Sequence, residues 1–553
     1  TVLDPSPDPE ASWQERKRLF EEVKGWDGYN KELISEGGGV YPRDAKAIPL
    51  SPQVREILDT DKKEVSGQEL IRLLLKAPVD LLWNGGIGTY VKASFETHQE
   101  VGDPANDPVR VDARDLRVRV VGEGGNLGFT QKARVEYALK GGRINTDALD
   151  NSGGVDLSDH EVNIKILLQG PVKRGEITLE ERNKLLEGVA HQVVDAVLYD
   201  NYRQSLAVSL DVIRSRRNLE PFQWVMEKLV DSEFLDRRDV YLPSPQELDS
   251  RRKTGRGLLR PELSLLLGYE KLWVKEQLRG CPFIKATYLN EYLERYFPPH
   301  LREPFHEEIV HHLLRDEIIL TIITNTIVNQ AGLSFFARMM SELEATPGEV
   351  AASYMVMEGV LKAPRYRQEV YALDFSVPAQ IQYEALLDME EAVEVLVRWS
   401  LFFSGDWLPI KEVIEKYRSL MDALIELLPK VLPPEMASEL EERFAEYTEQ
   451  GFPDGLARTR ASLPYLSDSM SLFTLAEYMG KGMEELAPIY YHIVHLFKLD
   501  GIFRAIREER KRDHWEVLAY TYLERDVWRV KRELTRKALQ VWDVGMDPSD
   551  LED

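Results

Sequence analysis

The chain of 553 residues has only one cysteine, Cys281, so no intrachain disulfide can form. This scarcity is typical of a reducing compartment, and a cytoplasmic location is expected. Positive charge is also scarce, because 70 Lys and Arg residues oppose 94 Asp and Glu residues and leave a formal net charge of −24. Sequence-independent binding to nucleic acid requires clustered positive charge, so no nucleic-acid partner is expected.

Long hydrophobic runs are missing too. The longest apolar stretch, residues 318–328, has about half the length that a bilayer span requires, and it includes Thr321, Thr324 and Asn325. It is predicted to be a buried helix. Residues 1–20 are acidic and proline-rich, unlike a signal peptide. No membrane partner is expected.

Two common binding motifs are absent. Gly122, Gly124 and Gly125 do not form the dinucleotide-binding pattern GxGxxG, because Leu127 stands where the third glycine belongs. His306 and His311 are five residues apart, whereas the zinc motif HExxH requires a spacing of four. No metal site is predicted.

What is present divides the chain into two parts. Up to about residue 170, short strands alternate with helices, and Ser51-Pro52 and Ser66-x-x-Glu69 predict two of the helix starts. A strand, helix, strand order implies a parallel sheet. We expect strands within residues 79–83, 112–121 and 143–146, and a helix near residues 131–140.

Later residues follow a helical period. The capping box Thr178-x-x-Glu181 opens a helix with apolar residues at four-residue steps, and further long helices follow. The predicted fold class is therefore α/β followed by all-α, with an incomplete Rossmann-like parallel-sheet domain (residues 1–215) and a large helical C-terminal domain (residues 216–553). The helical part has no clustered polar chemistry and looks like a regulatory or assembly domain.

Glycine- and asparagine-rich segments follow the predicted strands. In an α/β sheet, such turns form a ligand crevice at the carboxyl edge. Gly124, Gly125, Gly153 and Gly154 are expected to keep these loops free of Cβ atoms, so that a flat polar ligand can approach the backbone. Asparagine amides both donate and accept hydrogen bonds. This pattern predicts a cofactor site made by Asn84, Gly85, Gly125, Asn126 and Asn151.

These segments resemble those of the glutamate dehydrogenase superfamily. Residues 122–126, GEGGN, resemble its EGAN turn, and residues 151–158, NSGGVDLS, resemble its NAGGVTVS segment, in the same order. Residues 81–90, LLWNGGIGTY, and the long helical tail resemble more specifically the large bacterial NAD-dependent glutamate dehydrogenases. Those enzymes have much longer chains.

The resemblance implies oxidation of L-glutamate to 2-oxoglutarate and ammonia, with NAD as hydride acceptor, by a homo-oligomer. Asn126 and Asn151 would hold the carboxamide and ribose, and Asn84 and Gly85 would approach the nicotinamide. The family's catalytic residues, and those that select NAD over NADP, would precede Thr1. No catalytic residue is therefore assigned, and this chain, the expected carboxyl-terminal part of a longer enzyme, should be inactive alone.

Ser158 has two interpretations. Ser158-x-x-Glu161 has the spacing of a capping box, which would make Ser158 a helix N-cap. The resemblance implies instead that its hydroxyl binds a carboxylate of glutamate and that Val155 lines the pocket around the substrate's aliphatic carbons. Helix starts favour anions, so both roles are compatible.

Two rival functions remain at this point. One is a noncatalytic helical assembly or regulatory protein with a relic of a dinucleotide fold, and the other is a dehydrogenase of another amino acid. The match of Ser158 favours glutamate over the second rival.

One local cluster departs from the acidic composition. It consists of Arg251, Arg252, Lys253, Arg256 and Arg260. These residues are predicted to be a solvated helix approach, that is, a solvent-exposed segment leading into a helix, rather than an anion site.

Overall fold

The computed structural model describes residues 1–403, 410–509 and 514–541. Its strands are short and lie in the first quarter of the chain. They are β1 (Val2–Leu3), β2 (Gly39–Val40), β3 (Ile48–Pro49), β4 (Glu64–Val65), β5 (Leu81–Asn84), β6 (Val91–Lys92), β7 (Val111–Asp112) and β8 (Val120–Glu123).

Parallel pairing is confirmed at the strands that carry the candidate site. Strand β5 pairs in parallel with β8, in a register that sets Leu81 opposite Val120 and Asn84 opposite Glu123. Strands β6 and β7 are also parallel, whereas the pairs β1–β2 and β3–β4 are antiparallel. The carboxyl ends of β5 and β8 therefore lie side by side, as the predicted sheet requires.

The third predicted strand, at residues 143–146, is wrong. Arg143 forms only an isolated parallel bridge with Val120. The side chain of Thr146 then accepts a hydrogen bond from the backbone N–H of Leu149 and caps a short helix. Because the chain turns into that helix so soon, no further residues of this segment join the sheet.

The structure divides into two compact units, residues 1–165 with 175–269, and residues 166–174 with 270–553. The predicted boundary at residue 215 stays a prediction. Two helices contain residues of both units, α7 and α11. The helices up to residue 278 are α1 (Pro9–Glu21), α2 (Pro52–Leu58), α3 (Gly67–Leu75), α4 (His98–Val101), α5 (Gln131–Leu139), α6 (Asp147–Asp150), α7 (Ser152–Arg174), α8 (Leu179–Arg217), α9 (Glu220–Asp231), α10 (Pro245–Lys253) and α11 (Arg260–Leu278).

The described residues after 278 form helices without strands, so the prediction of a helical C-terminal part is confirmed; residues 542–553 lie outside the described residues. The helices are α12 (Asn290–Tyr296), α13 (Pro299–Arg302), α14 (His306–Val310), α15 (Arg315–Ala331), α16 (Phe335–Glu342), α17 (Pro347–Val360), α18 (Ala363–Tyr371), α19 (Ala379–Phe403), α20 (Ile410–Val431), α21 (Pro434–Glu449), α22 (Asp454–Ser462), α23 (Ser469–Met479), α24 (Met483–Leu496), α25 (Leu499–Glu508) and α26 (His514–Val541).

Short 3-10 helices connect several of these elements. They span Trp26–Gly28, Lys31–Leu33, Pro104–Asn106, Ala113–Asp115, Pro282–Lys285, Thr287–Leu289 and Leu463–Asp468.

Local capping chemistry explains several helix starts. Ser51 accepts a hydrogen bond from the N–H of Val54, with proline at the next position, and Ser66 accepts one from the N–H of Glu69. Thr178 and Glu181 form the reciprocal bonds of a capping box. These three predictions are confirmed because each cap satisfies N–H groups that lack helical partners.

A hydrophobic core supports the parallel strands. Val121 of β8 is buried with Ala133 and Tyr137 of α5, and the phenolic hydroxyl of Tyr137 donates to the carbonyl oxygen of Val118 at 2.7 Å. The other face of the strands differs, since the side chain of Trp83 is 61% exposed. One face of the strand pair is therefore anchored by packing, and this fixes the positions of the loops that follow.

The apolar stretch at residues 318–328 lies in α15, where Ile319, Ile323 and Ile327 are buried, so the prediction of a buried helix is confirmed. Among the described residues no single helix is long and apolar enough to cross a membrane. Helices α15 and α16 are together long and apolar enough to cross a membrane, but a 90° bend separates them.

The second unit contains buried ionic clusters, so the expectation that it lacks clustered polar chemistry is wrong. The guanidinium of Arg367 contacts Glu358 and Glu390, at 2.7 and 2.6 Å, and all three side chains are buried. Lys531 is equally buried and contacts Asp468 and Asp500, each at 2.7 Å. The partners come from different helices, which sequence spacing alone does not bring together.

A partly buried ion pair, Arg338 with Glu394, predicts acid sensitivity of the second unit. Burial raises the pKa of Glu394, but the charge and the two hydrogen bonds of Arg338 outweigh it and lower that pKa from 4.5 to about 2. A lowered folded-state pKa stabilises the fold above the unfolded value, and this stability is lost as the pH falls towards 2. The loss should be about 3 kcal/mol.

Urea unfolding followed at several pH values between 5 and 2 measures this dependence. Glu394→Gln should flatten it. Glu391→Gln is the matched control on the same helix, because Glu391 is exposed and its contact with Arg507 is 3.8 Å long. Equal pH dependence in wild type and Glu394→Gln would contradict the assignment.

Candidate functional site

A backbone hydrogen bond joins the two loops that follow the parallel strands. The N–H of Gly125 donates to the carbonyl oxygen of Asn84 at 2.8 Å. This bond continues the β5–β8 pairing beyond the last strand residue, so both loops leave the sheet at the same edge. Parallel sheets bind their ligands at this carboxyl edge.

Close packing at this edge requires glycine. A Cβ on Gly125 would overlap the carbonyl oxygen of Gly86, and a Cβ on Gly128 would overlap the side-chain amide of Asn84. The indole of Trp83 lies against Gly122 in the same way, 2.6 Å from the position of a Cβ. The glycines are therefore explained by backbone and side-chain contacts between the loops as well as by access for a ligand.

The side chain of Asn84 is turned into its own loop. Its Oδ1 atom accepts a long hydrogen bond, 3.5 Å, from the N–H of Gly86. Its Nδ2 atom is buried and makes no hydrogen bond within the described residues. Asn84 thus supports the loop in this conformation, and the exposed backbone at Gly85 and Gly86 is the part that a ligand can reach.

Asn126 and Asn151 do come together. The Nδ2 atom of Asn151 donates to Oδ1 of Asn126 at 3.3 Å, at the exposed end of the second loop. Asn151 is the last residue before α7, so the Asn126 loop lies against the start of this helix. The structure links four of the predicted cofactor residues through these contacts, Asn84, Gly125, Asn126 and Asn151.

Helix α7 begins earlier than the sequence predicted. Gly153 and Gly154 are helical rather than part of a loop, and Ser158 lies inside the helix, so the N-cap interpretation of Ser158 is wrong. Its hydroxyl donates only a long bond, 3.5 Å, to the carbonyl oxygen of Gly154 one turn before. The helix starts at Ser152 because Thr146 has already capped the short preceding helix α6, from which α7 follows within two residues.

The two substrate candidates share one face of α7, and Asn151 immediately precedes this helix. Positions 155 and 158 are three residues apart, a spacing that lines up side chains along a helix. Val155 is 69% exposed, and Ser158 is also exposed. Their side chains therefore continue from the Asn126–Asn151 contact as an accessible strip.

A buried ion pair, missed at the sequence level, holds the second loop. Nε of Arg134 contacts Oε2 of Glu123 at 2.7 Å, Nη2 contacts Oε1 at 3.0 Å, and both side chains are buried. Burial lowers the pKa of Arg134, but the hydrogen bonds and charge of Glu123 outweigh it and raise the pKa. Glu123 also accepts a bond from the N–H of Phe129, so it bridges the two ends of the glycine loop.

Two aspartates of α6 hold the loop from the other side. Asp147 accepts a 2.8 Å bond from the N–H of Leu127 and contacts Arg134 at 2.9 Å, while Asp150 accepts a 2.9 Å bond from the N–H of Glu123. Burial raises the pKa of Asp150. The only sequence signal for this network was an acidic residue, Glu123, inside a glycine turn.

Three arginines of the basic cluster are built into the fold, so its interpretation as a solvated helix approach is wrong for them. Arg251 makes a bidentate pair with the buried Glu262 at 2.6 and 2.7 Å. Arg252 contacts Asp249, and Arg260 donates to Oδ1 of Asn145 at 2.9 Å. Lys253 and Arg256 remain exposed.

Comparison with known proteins agrees with the resemblance. Residues 1–211 match the family model described as bacterial NAD-glutamate dehydrogenase, catalytic domain, and residues 255–551 match the one described as glutamate dehydrogenase, C-terminal. All the predicted cofactor and substrate residues fall within the first match.

Three relatives carry the name NAD-specific glutamate dehydrogenase. The protein of Halomonas elongata is 38% identical over 546 residues, that of Pseudomonas aeruginosa 38% over 542, and that of Mycobacterium tuberculosis 37% over 550. The alignments cover 98–99% of this chain but 34% of each relative, so the chain spans about a third of their length. With both family models matched in order, the chain belongs to the bacterial NAD-glutamate dehydrogenases.

Proposed function

We propose that this chain supplies the nicotinamide-side loops and part of the substrate pocket of an NAD-dependent glutamate dehydrogenase. The reaction is the oxidative deamination of L-glutamate to 2-oxoglutarate and ammonia. One observation carries the proposal: the carboxyl-edge loops of β5 and β8 meet the start of α7 within the stretch matched by the catalytic-domain model. A Rossmann-like arrangement of the parallel strands is part of the same proposal.

The residues at this edge suit a nicotinamide cofactor. A carboxamide and ribose hydroxyls need both hydrogen-bond donors and acceptors, and the amides of Asn126 and Asn151 supply both. Gly85 offers exposed backbone. Because Gly125 has no side chain, its loop can pack closely against the backbone of Gly86 in the loop that contains Gly85. NAD, when bound, supplies the hydride acceptor, and the protein's part is to hold its reactive carbon against the substrate.

Glu123, Arg134 and Asp147 make this binding surface rigid. They fix the backbone N–H groups of Leu127 and Phe129 before any ligand arrives. A preformed loop loses less conformational freedom on binding, which favours affinity. These three residues are positioning residues, because their contacts are to the loop.

On the substrate side, Ser158 is proposed to donate its hydroxyl to a carboxylate of glutamate, with Val155 against the aliphatic carbons. The exposed strip from Asn151 to Ser158 gives both side chains access to one ligand. The weak bond from the Ser158 hydroxyl to Gly154 is easily exchanged for a charge-assisted bond to a carboxylate.

Ser158→Ala tests this role in the dehydrogenase that contains the chain. Loss of a hydrogen bond to a charged group costs about 1.5–3 kcal/mol, so kcat/KM for glutamate should fall by about tenfold to a hundredfold. Ser158 is an exposed residue inside α7 rather than its cap, and alanine has a higher helix propensity than serine. The melting temperature should therefore not fall. Steady-state kinetics and thermal melts measure the two effects.

Two further variants sharpen the result. Ser419→Ala removes a similarly exposed helical serine, bonded to the carbonyl oxygen of Glu415, and should leave kinetics at the wild-type level. Ser158→Thr keeps the hydroxyl and adds a methyl group, so it should retain more activity than Ser158→Ala. Wild-type efficiency in Ser158→Ala would remove the link between this residue and glutamate.

The catalytic-domain match and the names of the relatives favour this enzyme over a noncatalytic helical assembly protein. They also favour glutamate over another amino acid. Comparing kcat/KM for glutamate with those for aspartate, leucine and alanine tests the substrate directly. A higher efficiency with an apolar amino acid would overturn the glutamate assignment.

A homo-oligomer in the cytoplasm completes the proposal. The single cysteine supports a reducing compartment, and the family resemblance supports the assembly. Light scattering of the purified protein measures the subunit number, and a monomer at working concentration would contradict the expectation. The net charge of −24 supports the absence of a nucleic-acid partner.

A further inference from the structure

A histidine and two aspartates converge between α7 and α8. Asp156 and His160 are one turn apart on α7, and Asp200 comes from α8. One ligand atom of each lies within 4.8 Å of the others. The sequence signal was the Asp-x-x-x-His spacing, which aligns two side chains on one helix face.

The neighbouring residue on α8 fixes this convergence. The side-chain amide of Asn201 donates to the carbonyl oxygen of Leu149 and to the hydroxyl oxygen of Ser152, both at 2.9 Å. These bonds hold α8 against the start of α7 next to Asp200. The three side chains are therefore held together by a scaffold that does not depend on them.

The spacing suits a single metal ion. Two atoms bound to one zinc ion at about 2.1 Å can be at most about 4.2 Å apart. Nε2 of His160 and Oδ1 of Asp156 are 3.9 Å apart, too far for a hydrogen bond but within this limit. The third ligand requires only a small side-chain adjustment, since the whole set already falls within 4.8 Å.

The charge and exposure of the cluster also favour a cation. Asp156, Asp200 and the nearby Asp159 are opposed by the guanidinium of Arg203, 3.7 Å from Asp200, which leaves two negative charges for a divalent ion. His160 is 3% exposed, whereas the side chains of Asp156 and Asp200 are 30% and 35% exposed. An ion can therefore enter from the carboxylate side and keep water as its remaining ligands.

We propose that Asp156, His160 and Asp200 form a site for a divalent first-row transition ion, such as Zn²⁺, that joins α7 to α8. One imidazole with two carboxylates suits these ions, whereas Mg²⁺ and Ca²⁺ prefer oxygen ligands alone. At about 100° per residue, positions 156 and 160 lie about 100–160° around the helix from Val155 and Ser158. The site is therefore on a different face of α7 from these proposed substrate residues, and a bound ion would stabilise the helix from that face.

Calorimetric titration of the chelator-treated 553-residue chain with Zn²⁺ at pH 7.5 tests this site. We expect one equivalent to bind with a Kd in the micromolar range or below. Asp200→Asn should weaken binding at least tenfold. This variant is preferred to a change at the buried His160, which risks unfolding the chain. Zn²⁺ should also raise the melting temperature of the wild type, because a ligand that binds only the native state stabilises it.

Asp195→Asn is the matched control, since Asp195 is exposed on α8 and the substitution removes the same charge away from the cluster. It should bind Zn²⁺ as the wild type does. Absence of stoichiometric binding, or equal affinity in Asp200→Asn and wild type, would overturn the site. Competition by Mg²⁺ at concentrations similar to Zn²⁺ would also overturn it, because it would mean that His160 is not a ligand. Because every readout is binding or melting, failure would leave the proposed dehydrogenase activity untouched.

Discussion

Arg134→Met is expected to lower the free energy of unfolding of the first unit by about 3–5 kcal/mol. Arg134 is buried between Glu123 and Asp147, and its removal leaves two carboxylates of the loop scaffold without their counter-charge. The loss should appear as a lower urea midpoint with an unchanged slope. In the proposed dehydrogenase, NADH affinity should fall at temperatures where the protein remains folded, because the Gly124–Phe129 loop loses its support.

Arg119→Met provides the matched control. Arg119 pairs with Asp80 at 3.2 Å, but both side chains are more than 80% exposed, and such pairs contribute about 0–1 kcal/mol. A loss of similar size in both variants would mean that burial of the Glu123 pair is unimportant. Unchanged NADH affinity in a folded Arg134→Met would contradict the positioning role of the pair.

Gly125→Ala is expected to weaken NADH binding by about fivefold to a hundredfold. The added methyl group would overlap the carbonyl oxygen of Gly86, a backbone atom that cannot rotate away. Relieving the overlap requires the two loops to separate and the Gly125–Asn84 bond to break. Overpacking strain of about 1–3 kcal/mol corresponds to a loss of affinity of up to about a hundredfold. Fluorescence titration of NADH into the proposed dehydrogenase measures the loss.

Gly188→Ala is the matched control for the added methyl group. Gly188 is an exposed residue of α8 and a Cβ there meets open space, so this variant should keep NADH affinity close to the wild-type value and a melting temperature no lower than the wild type's. Gly125→Ala with wild-type affinity would mean that the loops can separate without consequence, and the close approach would then have no role in binding.

The helix starts predicted from a few neighbouring residues are confirmed. The caps at Ser51, Ser66 and Thr178 are confirmed because a side-chain oxygen satisfies N–H groups two or three residues ahead, whatever the rest of the protein does. The helix predicted near residues 131–140 is confirmed at Gln131–Leu139 for the same local reason, with Thr130 as its cap.

The same kind of signal failed at Ser158. Its spacing to Glu161 is that of a capping box, but Thr146 starts the helical region twelve residues earlier and α7 already begins at Ser152. A capping pattern inside an established helix has no unsatisfied N–H groups to bind, so it does not start a new one. Gly153 and Gly154, which suggested a loop, are accommodated in the first turn of the helix.

The sequence by itself determined the family, two of the three predicted parallel strands, the helical second part and most of the glycine and asparagine positions at the carboxyl edge. These depend on local periodicity and on short segments that keep their order along the chain. Only the tertiary structure decided which residues meet: Glu123 with Arg134, Asp468 with Lys531, and Asp200 with His160. The residues of each pair belong to separate elements, so their approach depends on packing that no spacing in the sequence records. Where a pair is buried, removing one partner is costly because it leaves an uncompensated charge.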